Sequence, residues 1–408
     1  MASVSSAGMP PAASTDPDRR ARIAVGALFL TNGAMFANLL PRYPEIKSDL
    51  GLSNAGYGAV VAAFAAGALV AGLAAGAIIR RFGSARVAVG SSVLLAVLIA
   101  TAGSAGTPVF LAAALFCAGA CDAVTDVAQN VHGLRVQHTY GRSIINSLHA
   151  VWAAGGIVGG SMGAAAIALG LGRGLHLAIA AAVFAAVALA AYPFLLPGPD
   201  RAEDHHDGPT VVGRRARLPA YVLLAVLVVV AIAGAVIEDV GSTWATLYLR
   251  DGLGAPGPVA VFGYVALIGS MFVGRLTGDR LVDRFGERAV TRTGGLVMAT
   301  GMGLALAFPS VPGTIAGFAA VGLGVATLVP AAMHGADRLP GLRPGTGLTV
   351  VAWLMRLGFI ASPPVIGLIA DAAGLRVGLL LVPAVGLLVA LLTCVPGVLS
   401  APRRPSRS

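Results

Sequence analysis

Residues Gly274–Val290 read GRLTGDRLVDRFGERAV, with seven charged side chains in 17 positions. They join two stretches, Val259–Gly278 and Ala289–Phe308, that otherwise carry little charge. Each is about the 20 residues a helix needs to cross a bilayer. Earlier in the chain, Gly76–Val87 reads GAIIRRFGSARV and joins two further apolar runs. Arg81-Phe82-Gly83 and Arg284-Phe285-Gly286 stand 203 residues apart, close to half of 408. Gly72 and Gly76 match Gly274 and Gly278, His132-Gly133 matches His334-Gly335, and Trp152 matches Trp353, all at nearly the same offset. Several landmarks at one offset point to a duplicated half.

Each half supplies six apolar runs. The first six are Ile23–Leu40, Ala55–Ile79, Val87–Gly103, Pro108–Val131, Ile144–Leu169 and His176–Leu196. The second six are Leu218–Tyr248, Val259–Gly278, Ala289–Phe308, Thr314–Met333, Thr346–Ile369 and Leu375–Val395. The expected fold is an all-α polytopic membrane protein with twelve transmembrane helices in two pseudo-symmetric six-helix bundles. Residues 1–22 form an N-terminal tail, 23–196 the first bundle, 197–217 a linker, 218–395 the second bundle and 396–408 a C-terminal tail. Arg19, Arg20 and Arg22 before the first run predict a retained spanning helix with its cytoplasmic flank, not a cleaved signal.

Composition agrees. Hydrophobic residues make up 57% and charged residues 11%, against about 25% charged in soluble domains. That excludes a soluble enzyme, and no metal-ligand cluster, activated nucleophile or ATP-binding loop suggests another kind; no cofactor is expected. The net charge of +10 does not indicate a nucleic-acid partner, because the basic residues fall in short clusters between apolar runs. With the N-terminus inside, 21 of the 28 basic residues lie in tails and loops on the inner side, five lie outside, and Arg275 and Arg356 fall within spans. This bias predicts both termini in the cytoplasm. His205 and His206 with Asp204 and Asp207 fit a solvated linker better than a metal site, and Cys117, Cys121 and Cys394 suggest no disulfide.

Gly278, Asp279, Arg280, Asp283, Arg284 and Gly286 resemble the loop motif of the major facilitator superfamily. In the first copy of the repeat, Arg80 stands where Asp283 stands in the second. Four further segments resemble the superfamily's fucose-permease-like bacterial branch: PRYPEIKSDLGLSNAGYG from Pro41, DVAQNVHGLRVQ from Asp126, SIINSLHAVWAAGGIVGG from Ser143 and EDVGSTWATLYLRDGLG from Glu238. The resemblance implies a transporter whose charged loop ties the halves together when the outside is open. An ordinary basic loop is the alternative reading.

Ionisable groups inside a bilayer are costly and are functional candidates by default. Asp122 and Asp126 share one face of the fourth run, extended by Gln129 and Asn130. The matching positions in the tenth run, Gly324, Leu328, Ala331 and Ala332, are apolar, so one half alone carries the stripe. It is a candidate proton or substrate site, or else a structural cap. His149 lies at nearly the depth of Asp126 and is a candidate partner for a shared proton, or it bonds a backbone carbonyl. Glu238 is favoured over Asp239 as the cavity-facing acid of the seventh run, whose length and flanking Gly234 and Gly241 predict a bend. Arg356 is expected to counter Asp122 or Glu238 or to attract an anionic solute group, and Arg275 to act in gating or snorkel. Asn32 and Asn38 are the polar residues of the first run, where the sugar-symporting branch carries an acid. Gly155, Gly159, Gly160 and Gly163 fit close helix packing better than an antiporter motif, whose proline is absent.

The expected function is secondary active transport of a small organic solute across a bacterial inner membrane. The transporter would be a monomer, proton-coupled, with a lean to metabolite or drug efflux. Proton-coupled uptake of a sugar-like solute and a non-transporting membrane sensor or scaffold remain alternatives.

Overall fold

The computed structural model describes residues 16–140, 144–198, 218–339, 342 and 345–399. The linker, including His205 and His206, and the outer parts of both tails lie outside the described residues.

The described residues are helices joined by short turns, without a strand. The first bundle contains α1 (Asp16–Leu39), α2 (Asn54–Phe82), α3 (Ser84–Gly103), α4 (Pro108–Tyr140), α5 (Ile145–Ala168) and α6 (Arg173–Ala191). The second contains α7 (Leu218–Leu247), α8 (Phe262–Phe285), α9 (Glu287–Ala307), α10 (Val311–Val325 and Leu328–Asp337), α11 (Thr346–Leu354 and Arg356–Ala373) and α12 (Leu375–Gly378 and Leu381–Leu392). Eleven spans are long and apolar enough to cross a membrane. The twelfth, α9, has 21 residues, enough for about 30 Å of bilayer.

The halves repeat one packing plan. In the first, α2 and α3 pack on α4, α3 on α6 and α1 on α5; in the second, α8 and α9 pack on α10, α9 on α12 and α7 on α11. The two interfaces between the halves, α2 with α11 and α5 with α8, are mates under the same pseudo-symmetry. The duplicated loop keeps its backbone as well: Gly83 has φ 85° and ψ 144°, and Gly286 has φ 81° and ψ 152°. A side chain is strained there, which explains glycine in both copies.

Several helices depart from the runs read in the sequence, α11 among them with a break at Met355. The fourth run was expected to end at Val131, but α4 continues to Tyr140. No Gly-Pro breaker follows, so a helix can leave the apolar layer without ending. The bend expected in the seventh run is not a break in the helix: α7 is continuous through Gly234 and Gly241. Those glycines instead admit Val329 and Leu267 from neighbouring helices. α10 breaks at Ala326-Thr327 and α12 at Leu379-Leu380. In each case a proline four residues on, Pro330 or Pro383, lacks the N–H that would bond the carbonyl of Ala326 or Leu379.

The α5 glycines are packing positions on two faces. Gly155 and Gly159 abut the α1 backbone at Leu30 and Ala34, and Gly163 meets Pro41. Gly160 faces the Tyr264 ring of the other half.

The halves close on the face opposite the chain termini. Asp371, at the end of α11, accepts hydrogen bonds from the backbone N–H groups of Asn54 and Ala55, each at 2.8 Å. These are orphan donors of the first turn of α2, whose N-cap, Ser53, accepts from Gly56 at 3.0 Å. Tyr57 donates its hydroxyl to the Thr243 carbonyl across the same seam at 2.8 Å. A Cβ on Gly58 would lie 2.6 Å from the Pro363 carbonyl carbon, so the two backbones touch. Among the described residues, no comparable contact joins α4 to α10 on the face of the termini.

Candidate functional site

Near mid-length on α4, Asp122 points at α1. Asn32 donates Nδ2 to Asp122 Oδ1 at 2.8 Å, and Trp152 on α5 donates Nε1 to Asn32 Oδ1 at 2.8 Å. The Asn32 amide is almost fully buried and uses both ends, which fixes its orientation and that of the carboxylate. Asn32 therefore belongs to the acidic stripe. Trp152, which the sequence reading treats only as a repeat landmark, orients it.

One turn on, Asp126 is solvent-accessible. Asn130 donates Nδ2 to Asp126 Oδ1 at 3.1 Å and to its carbonyl at 2.9 Å. The Gln129 side chain is fully buried and lies close enough to Asp126 for its amide N–H to donate to the carboxylate.

His149 on α5 and Arg356 on α11 both lie within electrostatic reach of Asp126. His149 is accessible and stands edge-on to Phe29 with ring centroids 5.4 Å apart. Among the described residues it makes no direct bond to Asp126, so the expected shared-proton pair is a neighbourhood in this state and not a hydrogen bond.

Arg356 begins the second segment of α11 and crosses to the other half: a Cβ on Gly72 of α2 would lie 2.7 Å from its Nη1. The acid it approaches is Asp126, not the expected Asp122 or Glu238. Arg275 lies 3.6 Å from Glu238, Nη2 to Oε2, within the second half, and within electrostatic reach of His149. Asp126 and His149 of one half thus lie within electrostatic reach of Arg356 and Arg275 of the other, with Asp122 one turn from Asp126 and Glu238 beside Arg275. The charges are arranged so that Asp126 opposes Arg356 across the gap.

Asn38 is placed elsewhere. It accepts from His176 Nε2 at 3.0 Å and donates to the Ala34 carbonyl at 2.8 Å, and His176 Nδ1 accepts from Arg42 Nε at 3.2 Å. Arg42 also bonds Glu45 at 3.0 Å and the Leu171 carbonyl at 2.7 Å. This buried network fastens the closed face and does not reach the central acids. A cavity of about 160 Å³ between Pro41, Glu45, Thr246 and Arg250 is also on the closed face.

On the last two turns of α8, Asp279, Arg280, Asp283 and Arg284 are all exposed. None of the four makes an ion pair among the described residues; Arg284 stacks on Phe285 at 5.3 Å. Gly278 packs against Thr327, with 2.9 Å to the methyl from a built Cβ, and Gly286 makes the left-handed turn. These unengaged charges accompany the open face of the termini.

Residues 25–281 match the family model described as Major Facilitator Superfamily. The chain is 31% identical over 379 residues to the membrane protein MosC of Rhizobium meliloti, covering 92% of this chain and 90% of that one. The nucleoside transporter NupG superposes with a TM-score of 0.73 at 14% identity, over 93% of this chain and 98% of that one. A bacterial homologue of the human lysosomal transporter Spinster, in an inward-facing and occupied conformation, gives 0.72 at 14% identity over 93% and 97%. At such identities the structural likenesses concern the fold alone.

Proposed function

The chain belongs to the Major Facilitator Superfamily and is a membrane transporter; from that premise we propose that it exports a small organic solute by alternating access, driven by protons moving inward across the bacterial inner membrane. The observation that carries the reading is the Asp126–Arg356 opposition across the gap, next to an Asp122 held by Asn32 and Trp152. An acid shared between halves is useful to a coupled carrier because its charge decides whether the halves attract. As an anion, Asp126 is held toward Arg356; once protonated, it releases the guanidinium for an anionic or polar solute group or for rearrangement of the halves.

The loading step of the proposed export cycle is read from the open face. The bias of basic residues puts the face of the termini in the cytoplasm, and Asp126 and His149 are accessible while that face is open. A proton carried in from outside leaves Asp126 there, and the solute loads in its place. Arg275 and Glu238 form the opposite wall, and Asp279, Arg280, Asp283 and Arg284 re-form the cytoplasmic closure in the other state. Asn32 in place of an acid on α1 favours export over sugar-type symport.

The test is flux of a solute, found by screening a deletion strain, in vesicles of both orientations under an imposed pH gradient. Asp126→Asn is expected to abolish gradient-driven accumulation and to leave solute–solute exchange running. Undiminished gradient-driven flux in that variant removes α4 from the coupling, and accumulation in right-side-out vesicles under an inward proton gradient would make the carrier an importer.

A further inference from the structure

The seam that closes the face opposite the termini contains an acid that the central cluster does not use. Asp239 on α7 sits one residue after Glu238, and adjacent residues on a helix diverge by about 100°. Glu238 turns to Arg275. Asp239 turns to the seam, where Thr243 donates Oγ1 to its Oδ1 at 3.3 Å. Its other oxygen, Oδ2, is buried without a hydrogen-bond partner.

Every element packed there brings a neutral group. From α11 comes the Ser362 hydroxyl, 2% exposed, close enough to the carboxylate to donate to it and otherwise without a partner. The segment after α1 brings Tyr43, 1% exposed, whose hydroxyl also has no partner. From α2 comes Tyr57, whose ring stands edge-on to Tyr43 and Trp244. The titratable groups around Asp239 are thus Tyr43, Tyr57 and Glu238. Among the described residues no arginine, lysine or histidine lies within ion-pair distance of it.

A buried carboxylate oxygen with no donor is an expensive anion. A carboxylic acid is a different object: it carries no charge to desolvate, and its O–H can donate to a hydroxyl while its other oxygen accepts. The anion, among the described residues, has only neutral hydroxyls near it and no cation. The closed seam is therefore built for the neutral acid, and opening the seam would let water solvate the anion.

We propose that Asp239 is a second proton-binding site, loaded as the outer face closes, so that the outer gate shuts over a carboxylic acid and opens over a carboxylate. The site rests on the alternating-access reading but is separate from Asp126. It gives the outer gate its own proton, bound and released at the outer seam by Asp239 alone.

The test reads gate opening without transport. In a chain whose Cys117, Cys121 and Cys394 are replaced by serine, Val61→Cys places one thiol further along the α2 face that carries Asn54 and Gly58. An impermeant maleimide is added from the outside across a range of external pH. Labelling should quicken as the medium becomes alkaline, by up to about tenfold per pH unit for one coupled proton. Asp239→Asn should label slowly and without pH dependence, and Ser362→Ala, which removes a hydroxyl that can donate to the carboxylate, should have its labelling suppressed in a less acidic medium. An unchanged pH response in Asp239→Asn, or in Ser362→Ala should the former not accumulate, overturns the proposal. In an Asp126→Asn background the response should persist. Its loss there with Asp239 intact would assign the proton to Asp126 and overturn this site while leaving the transport reading in place.

Discussion

The two ends of the interface between the halves are held by different chemistry. At the closed outer seam the bonds are short and mostly engage backbone: Asp371 on two α2 N–H groups, Tyr57 on the Thr243 carbonyl, and Gly58 against Pro363. Toward the face of the termini, Asp126, His149, Arg275 and Arg356 approach each other across space without direct bonds between the halves. Close backbone contact holds one geometry or none, since packed surfaces are bistable. Charges across a gap act at range and can be switched by one proton. A carrier that must close firmly on one side while sensing a proton and a solute on the other has use for both.

That contrast can be broken most strongly at Gly58. Gly58→Leu overpacks the seam, which typically costs about 1–3 kcal/mol, enough for a roughly 5- to 150-fold shift toward the outward-open form. Outside labelling of a cysteine at Val61 should rise accordingly, and an unchanged rate would mean that the seam tolerates side chains. A smaller effect is expected at the centre. Trp152→Phe leaves Asn32 Oδ1 without its donor, a loss of about 1 kcal/mol, read as roughly fivefold weaker solute binding with outside labelling unaltered. If labelling changed as much as binding, the Asn32 network would belong to the gate.

Asp371→Ala uncaps α2 from across the seam and should shift the equilibrium outward by about two- to fivefold, the usual scale of a charge at an exposed helix terminus. Since that contact is salt-sensitive, the shift should shrink in high salt; a salt-independent effect would assign it to packing. Smallest in the present state is Asp283→Asn. With no ion pair to lose, thermal stability should move by no more than about 0.5 kcal/mol, while turnover slows because the pairs implied by the family resemblance form only when this face closes. A large stability loss would show that the motif is engaged here too.

Some of this is legible in the chain. Asp122 and Asp126 stand out because charge inside an apolar run is rare, and their absence from the repeat shows which half is specialised. The breaks in α10 and α12 were also in principle readable, from Pro330 and Pro383. The preference for Glu238 as the inner acid was readable too, but what Asp239 meets was not, because that depends on the rotation of α7 against α11, which neighbouring residues in a string do not record. Asn32 and Asn38 look equivalent on the first run, yet one orients a central acid and the other bonds His176 on the closed face.

Sequence alone determined the number of the spans and roughly where each lies, the duplication and the presence of intramembrane charge, because bilayer thickness and the energetics of burying polar groups act on each run locally. Tertiary structure decided which acid meets which base, which face is shut and which oxygen is left without a donor. Those outcomes depend on how helices distant in the chain rotate and tilt against one another, and a few degrees of rotation move a carboxylate from a guanidinium to a hydroxyl.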